Sequence, residues 1–163
     1  MLVEYELNIK NEIEYAKRWA HKRNPAYYNF DNVGGDCTNY ISQCVYAGGA
    51  VMNYTRDVGW YYISSSDRAA AWTGVEFFYS FFVSNKGVGP FGIEVPLYEV
   101  KVGDVIQLGD SSGHFYHSLI VVNINGGMPY VASHTFDSFD RPLYTYDFVK
   151  ARCIHIIGAR RNY

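Results

Sequence analysis

The sequence predicts an α+β domain in which N-terminal helices pack on a C-terminal antiparallel β-sheet. Three observations carry this reading. Before residue 85, apolar side chains recur every three or four positions. After residue 93, short β-prone runs are divided by Gly and Asp turns. Helices first and strands later is the order of an α+β domain rather than of alternating parallel units. A length of 163 residues suits one domain, taken as 1–163. With 48% hydrophobic and 18% charged residues, the composition excludes intrinsic disorder.

Residues 4–22 read as an amphipathic helix. Tyr5, Ile9, Ile13, Ala16 and Ala20 form its apolar stripe, with Glu6, Lys10, Glu12, Glu14, Lys17 and Arg18 opposite, and Pro25 marks its end. Residues 24–35 form a loop rich in Asn, Tyr and Gly. A second helix begins at Cys37, because Cys37, Tyr40, Ile41, Cys44 and Val45 fall on one helical face. Asp36 supplies a capping carboxylate before it, and Gly48-Gly49 stops it. Residues 50–71 read as irregular. Trp72 to Asn85 reads as a third helix, and Gly87 to Gly92 as a turn. Strands follow at Val105–Leu108, Ser118–Ile124, Pro129–His134 and Arg152–Ile157, separated by Gly103-Asp104, Gly109-Asp110 and Gly126-Gly127.

Charge and composition narrow the function. A formal net charge of −2 supplies no basic face for nucleic acid. No apolar run approaches the ~18–20 residues of a membrane-spanning helix, and Met1 to Lys10 shows no signal-peptide pattern. The compartment is therefore cytoplasmic, or else the cell envelope or exterior if this is a domain of a longer exported chain. Three cysteines cannot all pair. Cys37 and Cys44 lie about 10 Å apart along a helix, too far for a disulfide. With no Cys-x-x-Cys and no His-Glu-x-x-His, neither a metal site nor a cofactor is expected.

Cys37 is the candidate nucleophile. At a helix N-terminus, orphan N–H groups and the helix dipole favour thiolate over thiol. Cys44 and Cys153 lack that setting and read as core. Of the five histidines, His117 opens a strand that faces the helices and is the candidate base. His114, three residues earlier, is the alternative. His134 ends the next strand, and a hairpin about Gly126-Gly127 brings it beside His117, where it would orient the imidazole as the third member of a triad. Trp60, Tyr61, Tyr62 and Trp72 are candidates for an aromatic groove, or else for core packing.

These residues resemble a known family. Gly34-Gly35-Asp36-Cys37-Thr38-Asn39-Tyr40-Ile41-Ser42-Gln43-Cys44, followed by Ala47-Gly48-Gly49, is similar to the signature of the putative amidase domain, a group placed among the papain-like cysteine peptidases near the NlpC/P60 and CHAP cell-wall hydrolases. Asn24-Pro25-Ala26-Tyr27, Ser66 to Val75, Gly103-Asp104-Val105-Ile106, His117 to Val121, and Ser133-His134-Thr135-Phe136-Asp137 leading to Arg141-Pro142-Leu143 match in the same order, from about residue 12 to 160. The resemblance implies a papain-like fold with Cys37 as nucleophile, His117 as general base, and His134 or Asp137 as the third member. It also implies an oxyanion hole made by the Cys37 backbone N–H, with Tyr27 or Tyr28 as a second donor. Asp36 is expected to support the loop rather than to react. The implied activity is cysteine-dependent hydrolysis of an amide in bacterial cell-wall (peptidoglycan) peptide. The alternatives are acyl transfer by the same fold and an inert wall- or protein-binding module.

Overall fold

The computed structural model describes residues 1–163. Its first departure from the sequence reading lies at the N-terminus. Instead of one helix over 4–22, β1 (Leu2–Tyr5) precedes α1 (Ile9–Trp19). Asn8 separates them: its backbone is extended and its side-chain oxygen accepts the Asn11 N–H at 3.0 Å, a cap that starts the helix. Ala16 and Ala20 are buried as expected, but so is Glu12, at 0% exposure, although its position places it on the charged face.

α2 (Cys37–Ala47) has the predicted bounds. Every residue from Cys37 to Val45 is buried, because α1, the sheet and the next helix surround it. It ends at Gly48, where a larger residue would have to displace the Glu12 side chain: a Cβ there would sit 2.5 Å from Glu12 Cγ. Asp36 occupies the N-cap position but makes no capping bond, contrary to expectation. The single helix expected over Trp72–Asn85 is two, α3 (Ala70–Thr73) and α4 (Val75–Ser84). Gly74, in extended conformation, breaks them. Phe78 and Phe82 lie one turn apart on α4, stacked at 4.0 Å and fully buried. Each such burial contributes about 1.5–3 kcal/mol.

The segment read as irregular holds a small hairpin, β2 (Tyr62–Ser64) with β3 (Asp67–Arg68). The main sheet adds β4 (Gly89–Val95), β5 (Val105–Gly109), β6 (Phe115–Asn125), β7 (Met128–Ser133), β8 (Ser138–Pro142) and β9 (Lys150–Asn162). It has seven strands, in the order β1-β9-β5-β6-β7-β8 with β4 also on β9, and every pairing is antiparallel. β4 takes in Gly89–Gly92 of the stretch read as a turn. Gly92 serves a bulge there, since a Cβ at that position would meet the His155 carbonyl oxygen at 2.3 Å.

Strand alternation divides the core. Val105, Ile120, Val122, Ala132, Ile154 and Ile156 face the helices, against Tyr40, Ile41, Cys44, Trp60, Trp72 and Phe82. Ile106, Leu108, Leu119, Val121, Val131 and Cys153 face the other way, under Val100, Leu143 and Tyr146. The architecture is α+β with a large antiparallel sheet. All three cysteines are free, and no helix is long and apolar enough to cross a membrane.

Candidate active site

The turn before α2 needs two successive left-handed residues, and Gly34 (φ 83°) and Gly35 (φ 99°) supply them. The chain then enters the helix at Cys37, whose residue is 8% exposed. Its Sγ lies 3.8 Å from Thr38 Oγ1 and 4.0 Å from the Tyr116 carbonyl oxygen on β6. Thr38 Oγ1 and Ser118 Oγ share a hydrogen bond at 2.9 Å. Ser118 also receives the Gln107 side-chain amide, whose nitrogen donates to Val75 O at 2.9 Å. The first turn of α2 is thus fastened to β6 on both sides of His117 in sequence.

His117 is half-buried. Its Nδ1 lies 3.1 Å from Thr135 Oγ1, and its ring meets Tyr116 edge-on at 4.5 Å. Burial lowers the imidazole pKa, and a hydrogen bond to the Tyr116 carbonyl opposes part of that shift. No hydrogen bond joins the Cys37 thiol to the His117 ring. Both adjoin the same Tyr116 carbonyl.

The expected bond from His134 to His117 is corrected. Both His134 ring nitrogens are engaged elsewhere: Nδ1 with Asp36 Oδ2 at 2.6 Å and Nε2 with the Trp19 carbonyl at 2.7 Å. Its ring stacks on Tyr40 at 3.9 Å. Two residues that follow one another on the chain point to opposite surroundings, so Thr135, not His134, reaches His117. Asp137, the alternative third member, is held by Arg23 through two bonds of 2.9 and 3.0 Å and makes no hydrogen bond to His117.

Asp36 is a buried junction rather than a cap. It accepts the Phe30 N–H, the Asn39 side-chain amide and the His134 ring, with Arg23 Nε at 3.5 Å. Burial pushes its carboxyl upward, but these donors, His134 first, outweigh that and leave it below the ordinary range. Asn39 also donates to the Tyr28 carbonyl and accepts from Trp72 Nε1, which ties the preceding loop to the helix.

Tyr27 packs against Tyr62 at 5.0 Å and stacks on Trp72 at 6.0 Å. Burial pushes its phenol up to about 12, so it stays protonated at neutral pH. Tyr28 is exposed, and its backbone N–H donates to Tyr62 OH. Trp60 and Trp72 are 0% exposed and belong to the core, which removes them from any groove. His114 sits in an exposed turn, its ring against Tyr116 and its N–H on Asp110. No cluster of His, Cys, Asp and Glu has metal-binding geometry.

Sequence reasoning missed Thr135, Ser118 and Arg23. Ser118 carried one signal, a small polar residue at the start of an otherwise Leu/Ile/Val strand. Thr135 and Arg23 carried none, since their roles depend on turns that bring distant segments together.

The family described as "putative amidase domain" matches residues 6–157. An uncharacterized protein of Bacillus subtilis (strain 168), YhbB, is 39% identical over 131 residues, which is 77% of this chain and 40% of that protein. The chain therefore spans less than half the length of that relative. No solved structure matches.

Proposed function

The chain belongs to the family described as a putative amidase domain, and on that premise we propose that it is a cysteine-dependent amide-bond hydrolase with Cys37 as nucleophile. Amide hydrolysis is the activity the family description suggests. The cysteine mechanism, a papain-like arrangement and a peptidoglycan-type substrate are our reading, with residues 1–163 taken as one domain.

The observation that carries the reading is the 2.9 Å bond between Thr38 and Ser118. These residues immediately follow Cys37 and His117, so one short bond couples the neighbours of nucleophile and base. In the proposed reaction, the His117 imidazole takes the Cys37 proton as the sulfur attacks the amide carbonyl carbon. Catalytic hydrogen bonds commonly tighten only in the substrate complex, so the ring closes on the sulfur from the carbonyl that both adjoin. The tetrahedral intermediate places its oxyanion at the start of α2, where the Cys37 backbone N–H and the helix dipole stabilise it. Tyr27, which remains a phenol, is the proposed second donor. Collapse breaks the C–N bond, His117 returns the proton to the departing amine, and a thioester remains. Water, deprotonated by His117, then hydrolyses the thioester and frees Cys37. The depressed imidazole pKa suits the base, because the ring is neutral at the start of the cycle. Thr135 would hold Nδ1, leaving Nε2 for the proton transfer.

Incubation with purified peptidoglycan fragments, followed by mass analysis, tests the proposal. The expected result is a mass gain of one water across a cleaved amide. Cys37→Ala and His117→Ala should each lose activity by roughly 10³-fold or more, whereas His114→Ala should retain it. Full turnover by Cys37→Ala would end the proposal.

A further inference from the structure

Beside the candidate nucleophile lies a buried polar cluster that the proposed reaction does not use. His134 and Asp36 have side chains only 1% exposed, 2.6 Å apart. We propose that His134 is a doubly protonated imidazole that positions Cys37 by donating one N–H to the Asp36 carboxylate and the other to the Trp19 carbonyl. This rests on the reading of Cys37 as nucleophile.

The argument is one of donors and acceptors. A backbone carbonyl has no proton to give, so Nε2, at 2.7 Å from Trp19 O, must carry one. Asp36 is equally without a proton. Its Oδ1 already accepts the Phe30 N–H at 2.9 Å and the Asn39 amide at 2.9 Å, and Arg23 Nε lies 3.5 Å from its Oδ2. Facing a carboxylate so supplied with donors, Nδ1 must also be an N–H. A neutral imidazole has one such proton and an imidazolium has two. At 2.6 Å the contact is at least as short as a charge-assisted N–H···O bond. The Tyr40 ring, parallel to within 13° at 3.9 Å, covers the cation with its π-face.

This cluster joins four segments: the end of α1 through Trp19, the loop through Phe30, the entry to α2 through Asp36 and Asn39, and the turn just after β7 through His134 itself. Asp36 immediately precedes Cys37, so the pair fixes the backbone from which the thiol projects. With both nitrogens occupied, His134 holds no lone pair for proton transfer. Its action on the reaction is therefore through Asp36, as a positioning residue.

Two measurements test this on the whole chain. Nitrogen-15 NMR of histidine-labelled protein at neutral pH should show one-bond N–H couplings at both ring nitrogens of His134, signals that vanish in His134→Gln. A lone-pair nitrogen on His134 would overturn the proposal, whether or not any variant folds. In kinetics, His134→Gln should lower kcat by about 100-fold, the scale of a displaced reacting group, with KM little changed. Alkylation of Cys37 by iodoacetamide should slow in parallel. Asp36→Asn should behave the same way, and the double variant should be no worse than either single one. Full turnover by His134→Gln beside an inactive Cys37→Ser removes this proposal alone. Full turnover by Cys37→Ser removes the nucleophile itself and this proposal with it.

Discussion

Glu12 sits in the core with neither carboxylate oxygen hydrogen-bonded, packed against Gly48. Burial, and secondarily the charge of Asp104, raise its pKa well above the ordinary value. In the folded state it therefore keeps its proton at pH values where the unfolded chain has lost it. Stability contributed by that proton is complete below the unfolded pKa. It is lost as pH rises towards the folded pKa, at up to roughly 1.4 kcal/mol per pH unit, and then levels off. Glu12→Gln cannot ionise and escapes this loss. The stability advantage of Glu12→Gln over wild type should grow from about pH 4 upwards in denaturant titrations. A difference that stays constant with pH would contradict the assignment. Glu12 also shows where single-residue reading fails. Periodicity places it beside Lys10 and Glu14 on a wet face, and only the arrival of Gly48, thirty-six positions later, closes over it. The place of Cys37 at a helix start was legible for the opposite reason. Its setting is local, fixed by two glycines before it and an apolar stripe after it. The partner of His134 was not legible, because two bonds to Asp36 and Trp19 depend on how the loop between α1 and α2 folds back.

Whole elements were read best where one periodicity ran uninterrupted between stops, as in α2 and β5. They were misread where glycine had a second use. Gly87 to Gly92 has the composition of a turn, yet Gly92 lies inside β4, where the His155 backbone leaves no room for a Cβ. Gly74 splits a continuous apolar pattern into α3 and α4. Gly92→Ala should destabilise the protein by about 1–3 kcal/mol, the usual cost of forcing an extra carbon into a packed site. Calorimetry should register this as a fall in Tm of several degrees. An unchanged Tm would mean the bulge can shift aside cheaply.

At the scale of the molecule, the strand content of the second half was legible but the wiring was not. Alternation tells which residues of a strand share a face, not which strand lies alongside. β9 pairs with β1, β4 and β5, and so joins the first strand of the chain to the middle of the sheet. Hydrogen exchange should therefore be slowest for amides around Cys153–Ile156 and much faster in β8, which lies at an edge with one neighbour. Equal protection in the two strands would contradict this hierarchy.

That hub also dictates a schedule. A ribosome delivers Lys150–Asn162 after every strand it must join, so the nascent chain holds β1, β4 and β5 with open edges until that segment emerges. Assembly must wait for β9, and a product interrupted before it would emerge with three unfinished borders ready to capture one another.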